Sequence, residues 1–184
     1  MDFSRKLPIG TQSFKVLREN RYLYVDKTEY LFRLVNSSRV YFLSRPRRFG
    51  KSLFLSTLKA YFLGQKELFK GLYLEKAEEK RAEIEKTDAW VEYPVFYLDF
   101  NVGRYDLEEA LAESLDYFLR KQEKIYELKN EGDSFAKRFQ SLIETAYQKT
   151  GRQVVILVDE YDKPLLQTMG INEALNEEFR NTLK

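Results

Sequence analysis

Three short runs in this 184-residue chain are almost wholly apolar and bounded by polar or turn-forming residues: VYFL (40–43), YPVFYLDFN (93–101) and VVILV (154–158). A strand with one wet face would alternate. An unbroken apolar run of about four to eight residues instead fits a strand covered on both faces. Between the runs lie longer segments whose apolar residues recur at three and four, the period of a helix packed on one side. This alternation predicts an α/β fold, a mainly parallel sheet flanked by helices. Ligands of such sheets bind beyond the C-terminal ends of the strands. Asp99, Asp159 and the loop after Leu43 all fall there.

The helical segments carry their own start and stop signals. Asp26 and Glu29 have the spacing of a capping box, opening a helix with Tyr30, Leu31, Leu34 and Val35 on its apolar face, and a short strand is expected just before it at 22–25. SLFLSTLKAYFLG (52–64) reads as a helix with Leu53, Phe54, Leu58, Tyr61 and Phe62 apolar and Gly64 as its stop. EKAEEKRAEIEK (75–86) reads as a helix with a solvated charged face. Asp106 and Glu109 repeat the capping-box spacing ahead of Leu107, Leu111, Leu115, Phe118 and Leu119. A further helix is expected from about Asp133 to Gly151, burying Phe135, Phe139, Leu142, Ile143 and Ala146. Asp162 is placed to cap the next helix, with Pro164 in its first turn, and the last helix starts near Asn172 with Leu175 and Phe179 inward.

Composition narrows the chemistry. The chain has no Cys and no His, which excludes disulfides, thiolate or imidazole metal sites and any Ser-His-Asp triad. Carboxylates, Lys, Arg and backbone N–H groups remain. With 31 Lys+Arg against 29 Asp+Glu, the net charge of +2 gives no bulk attraction for nucleic acid, so any anion site must be local. The start of the chain, MDFSRKLPIG, lacks an apolar leader, and no uninterrupted apolar stretch is long enough to span a bilayer. A soluble, cytoplasmic protein without membrane partners is expected.

The segment SRPRRFGKS (44–52) supplies a local anion site. Its end matches the phosphate-loop pattern G-x-x-x-x-G-K-[ST], but the first glycine of that pattern falls on Arg45. Pro46 biases residue 45 toward extended geometry, and a left-handed non-glycine residue there would cost roughly 1–2 kcal/mol. The loop is therefore expected to leave its strand by an extended path. Beyond it, Gly50 lets the backbone approach a phosphate oxygen, Lys51 reaches the β and γ phosphates, and the Ser52 hydroxyl is a ligand for Mg²⁺. The candidate nucleotide contacts are Arg47, Arg48, Phe49, Gly50, Lys51, Ser52 and Leu53. Taken alone, GKS also fits a plain helix start, and Arg47 and Arg48 also fit solvent-exposed loop charges.

VVILVDE (154–160) adds the second half of such a site. A carboxylate at the end of a buried strand holds Mg²⁺ through water, the role of Asp159, and an acid one residue later orients and deprotonates the attacking water, the role of Glu160. The alternative for the acid pair is a solvated turn. Lys51 and Glu160 are the candidate catalytic residues, and Ser52 and Asp159 the metal residues. Tyr22 or Tyr24 is a candidate to stack on the base, the alternative being a place in the core.

The blocks LPIGTQSF (7–14), YLYVDKT (22–28), YFLSRPRRFGKSLFLSTLKAYF (41–62), YPVFYLDF (93–100) and LVDEYDKPLL (157–166) together resemble the AAA-ATPase-like family of prokaryotic proteins. The resemblance implies a P-loop NTPase fold, ATP as nucleotide with Mg²⁺, and Walker roles for Lys51, Ser52, Asp159 and Glu160. It also implies that the arginine-rich loop without its first glycine is the family's own form. In that family the ATPase domain is commonly followed by a PD-(D/E)XK nuclease-like domain. The expected layout is a lead-in at 1–38 and a nucleotide-binding core at 39–184, C-terminally truncated because no strand follows Asp159 and the last helix reaches Lys184 without a stop signal. The expected partners are ATP, further copies of the chain or a C-terminal domain outside it, with nucleic acid only through that domain. Two functions follow: an Mg²⁺-dependent ATPase that regulates an attached nuclease-like domain, or a nucleotide-binding interaction module that does not hydrolyse.

Overall fold

The computed structural model describes residues 6–46, 48–129 and 133–183. They form a mixed α/β protein whose chain divides into two compact units, Met1–Tyr93 and Pro94–Lys184.

The first unit is helical. Ser13 caps α1 (Phe14–Glu19) by accepting from Val16 N. Phe14 is fully buried, edge-on to Tyr24 and 5.0 Å between ring centroids from Phe69. Asp26 holds the start of α2 (Thr28–Val35): Oδ1 accepts from the Thr28 amide (2.8 Å) and hydroxyl (2.7 Å), while Oδ2 accepts from Tyr73 N (2.7 Å). Thr28 Oγ1 in turn accepts from Leu74 N at 3.1 Å. One acid therefore joins the starts of α2 and α4 (Tyr73–Glu85). Glu29 does not complete the expected capping box, because its carboxylate pairs with Arg33 one turn on. Tyr30, expected inside, is exposed, and Leu31 is the buried apolar residue of this helix.

α3 (Lys51–Phe62) buries Phe54, Thr57, Leu58 and Ala60 and ends as its sequence predicts. Gly64 is left-handed (φ 63°), its N–H bonds Tyr61 O, and a Cβ there would lie 2.8 Å from Trp90 O. The charged face of α4 is not wholly solvated. Glu78 is buried, accepting from the Tyr61 hydroxyl at 3.0 Å and pairing with Arg81.

Neither VYFL nor 22–25 forms the expected strand. An extended segment becomes a strand only where a ladder receives it, and among its described residues this unit holds just one isolated bridge, Leu63 with Glu92. Val40 is 86% and Phe42 72% exposed, so the buried-strand expectation for 40–43 is corrected.

The second unit contains the sheet. β1 (Val95–Asp99) pairs in parallel with β2 (Val155–Asp159), in register from Val95 with Val155 to Asp99 with Asp159. Between them run α5 (Ala110–Tyr126) and α6 (Phe135–Thr150). Phe96, Leu119, Leu142 and Ala146 form the core that seats these helices on the sheet. Ile156 and Val158 remain partly exposed, so β2 is not covered on both faces as expected. α5 starts at Ala110 with no side-chain cap and Leu107 outside it, so the box at Asp106 and Glu109 does not form. Ser134 caps α6, and Gly151 ends it. Arg138 ties α6 to α5, donating to Glu123 Oε1 (2.7 Å) and Oε2 (2.8 Å) and to Asp116 Oδ1 (2.6 Å).

Asp162 stands at the N-cap position of α7 (Lys163–Thr168) but its side chain makes no capping bond, and Pro164 lies in the first turn as expected. Asn172 caps α8 (Glu173–Thr182), whose Leu175 and Phe179 pack with Phe100, Tyr105 and Leu111.

Candidate functional site

In the first unit, Pro46 O accepts from Phe49 N at 3.3 Å, making a turn that leads into α3. Arg48 (φ 66°) and Gly50 (φ 76°) are both left-handed. Nothing lies within 4 Å of a Cβ built on Gly50, so glycine is needed for the backbone angle while the space beside it stays open to a ligand. Lys51 and Ser52 follow at once as the first two residues of α3, which no side chain caps. Uncapped first-turn N–H groups and the helix dipole favour an anion. Arg48, Phe49 and Gly50 are exposed, and Lys51, Ser52 and Leu53 are half-buried. Arg47 lies outside the described residues.

Arg45, the departure from the usual pattern, folds back on the helix that follows it. Its guanidinium carbon lies 5.4 Å from the centre of the Phe54 ring, within the range of a cation–π contact. The rear of α3 is held by the lead-in: Ser56 Oγ accepts from Phe14 N at 2.9 Å. Burial raises the Tyr24 hydroxyl above its ordinary pKa, against the opposing effect of its hydrogen bond to Thr57. Tyr24 is thus part of the core behind α3. Sequence reasoning missed these supports, whose only sequence signal is the Ser56–Thr57 pair among the apolar residues of α3.

In the second unit, Asp159 ends β2 and is 5% exposed. Its main-chain oxygen accepts from Phe100 N (3.1 Å), and its Oδ2 accepts from the Tyr97 hydroxyl (3.2 Å). Tyr97 was not foreseen as a site residue. Burial pushes its hydroxyl pKa well up, with the charges of Asp159 and Asp99 adding to the effect, so it stays a donor. Asp99 turns its Oδ1 to Asn101 N at 2.8 Å. Glu160 is left-handed at φ 52°, at a cost of roughly 1–2 kcal/mol for a residue with a Cβ. Its carbonyl accepts from Lys163 N, while Lys163 Nζ bonds Asn101 O. The strand end, the acid pair and α7 are thereby tied to the loop after β1.

Each motif offers hard oxygen donors, a hydroxyl from Ser52 and carboxylates from Asp159 and Glu160. No group of three or more acids that could hold a metal ion is found among the described residues. Oxygen donors of these kinds suit Mg²⁺, which takes one or two protein oxygens and fills its remaining positions with phosphate and water.

A glycine-to-helix loop ending in Lys-Ser in one unit and a strand-end acid in the other are features also met in nucleotide-binding proteins. The family model described as "Predicted AAA-ATPase" matches residues 8–184, and the chain belongs to that family. It is also 39% identical over 178 residues to an "Uncharacterized protein in vnfD 5'region" of Azotobacter chroococcum mcd 1, a match covering 94% of this chain and 32% of that protein. The chain thus spans about a third of the length of this curated relative. No solved structure matches it. No helix among the described residues is long and apolar enough to cross a membrane.

Proposed function

We propose that this chain binds ATP with Mg²⁺ and hydrolyses it. The observation that carries the reading is the start of α3, where left-handed Gly50 hands directly to Lys51 and Ser52 in a chain matched over residues 8–184 by a predicted ATPase family. Lys51 neutralises the β and γ phosphates, and Arg47, Arg48 and the backbone from Phe49 to Leu53 complete the anion site. Ser52 and Asp159 are the residues that would hold Mg²⁺, Asp159 through water, and the ion would supply neutralisation of phosphate charge. Glu160 takes the proton of the attacking water. The reaction takes place in the cytoplasm, and in a longer protein it regulates an attached domain, a nuclease-like one in the reading above.

A second reading is a nucleotide-controlled interaction module that hydrolyses slowly or not at all. The exposed Val40 and Phe42 in the first unit and, separately, the exposed Ile156 and Val158 in the second favour it, because exposed apolar side chains suit association. Glu160→Gln separates the two. The amide keeps the shape but cannot accept the proton, so Mg·ATP binding should persist while turnover falls by roughly a hundredfold or more. Phosphate release at saturating ATP measures this. A variant as fast as the unaltered protein would remove Glu160 from catalysis, and no turnover by either would favour the module.

A further inference from the structure

β1 carries a tyrosine where packing alone would accept a phenylalanine. Strand periodicity places Tyr97 on the sheet face of Asp99, and the register Asp99 with Asp159 puts Asp159 on that face too. The Tyr97 hydroxyl spans the two strands and donates to Asp159 Oδ2 at 3.2 Å. The backbone of Asp159 is held separately, by the ladder and by Phe100 N. Among the described residues no other hydrogen bond is found to the Asp159 side chain, so the tyrosine engages Oδ2 and leaves Oδ1 as the oxygen to receive a further partner. A carboxylate 5% exposed needs such a donor to satisfy its oxygen and to stay in one orientation.

We propose that Tyr97 is a positioning residue: by occupying Oδ2 it fixes the rotamer of Asp159 so that Oδ1 is the oxygen presented to the water shell of Mg²⁺. This rests on the ATPase reading above. Tyr97→Phe keeps the ring but leaves the carboxylate to be ordered only when the cation binds. The loss of one hydrogen bond of ordinary net strength should then raise the half-saturating Mg²⁺ concentration by about threefold to tenfold.

The test is a titration of MgCl₂ into the chain with a fluorescent ATP analogue, for the unaltered protein, Tyr97→Phe, Asp159→Asn and the double variant. Expected are a raised Mg²⁺ requirement in Tyr97→Phe, metal-free analogue affinity unchanged, and no further effect of Tyr97→Phe once Asp159 is Asn. A purely structural tyrosine would lower the melting temperature and leave the Mg²⁺ requirement alone, which would overturn the proposal. So would additive effects in the double variant. If the unaltered protein shows no Mg²⁺-dependent binding, the ATPase reading fails first and this inference falls with it.

Discussion

Arg45 stands where phosphate loops usually carry glycine, and its contact with Phe54 at 5.4 Å gives the substitution a physical purpose. The side chain anchors the start of the loop to the helix that the loop feeds. Arg45→Gly, which restores the common pattern, should therefore weaken ATP binding, by about twofold to fivefold for the loss of an exposed cation–π contact. Competition binding against the fluorescent analogue would show this, and a tighter-binding variant would mean that glycine is the better residue here. At this scale the sequence offered Gly50, Lys51, Ser52, Asp159 and Glu160 as candidates, because the chemistry proposed for them is tied to a local order of residue types. Arg45 and Tyr97 were not legible in their roles. Each acts on a partner, nine residues on in one case and on a neighbouring strand in the other, that only the folded chain brings close.

The elements were legible where local signals agreed. α3 with its stop at Gly64, α6 from Ser134 to Gly151, α8 from Asn172 and both strands of the sheet follow the expected boundaries closely. Capping boxes misled. Asp26 is drawn to Tyr73 N, a partner 47 residues away, and Glu29 to Arg33, so the spacing was right while the reciprocal bonds went elsewhere. VYFL misled for a different reason: apolar composition proposes a strand, but pairing decides it. The Arg138 bridge between α5 and α6 invites a test at this scale. Hydrogen bonding to Arg138, reinforced by Arg120, holds the Asp116 carboxyl below its ordinary range. A carboxylate depressed in the folded state contributes stability that is present above its unfolded pKa and is lost as pH falls through the folded value. Asp116→Asn should thus cost under about 1 kcal/mol at neutral pH, since Asp116 is partly exposed, and the difference should vanish in acid. Urea unfolding from pH 7 to pH 2 measures it, and a gap that widened in acid would contradict the assignment.

At the scale of the whole molecule, the break between Tyr93 and Pro94 has no glycine- or serine-rich linker to announce it. The mixed α/β class was legible because strand-like and helix-like runs alternate, whereas the size of the sheet depends on which extended segments find partners. What joins both units to one function is the family match over residues 8–184 and the order of the two motifs in the chain. The net charge of +2 leaves the nucleotide site to local groups, and Lys51 is the one whose removal should matter most for affinity without touching an apolar face. Calorimetric titration of Mg·ATP into the unaltered chain and into Lys51→Ala, with melting curves of both, tests the account most directly. It predicts saturable, Mg²⁺-dependent binding that disappears in Lys51→Ala while the melting temperature stays the same; equal affinity in the two proteins would contradict it.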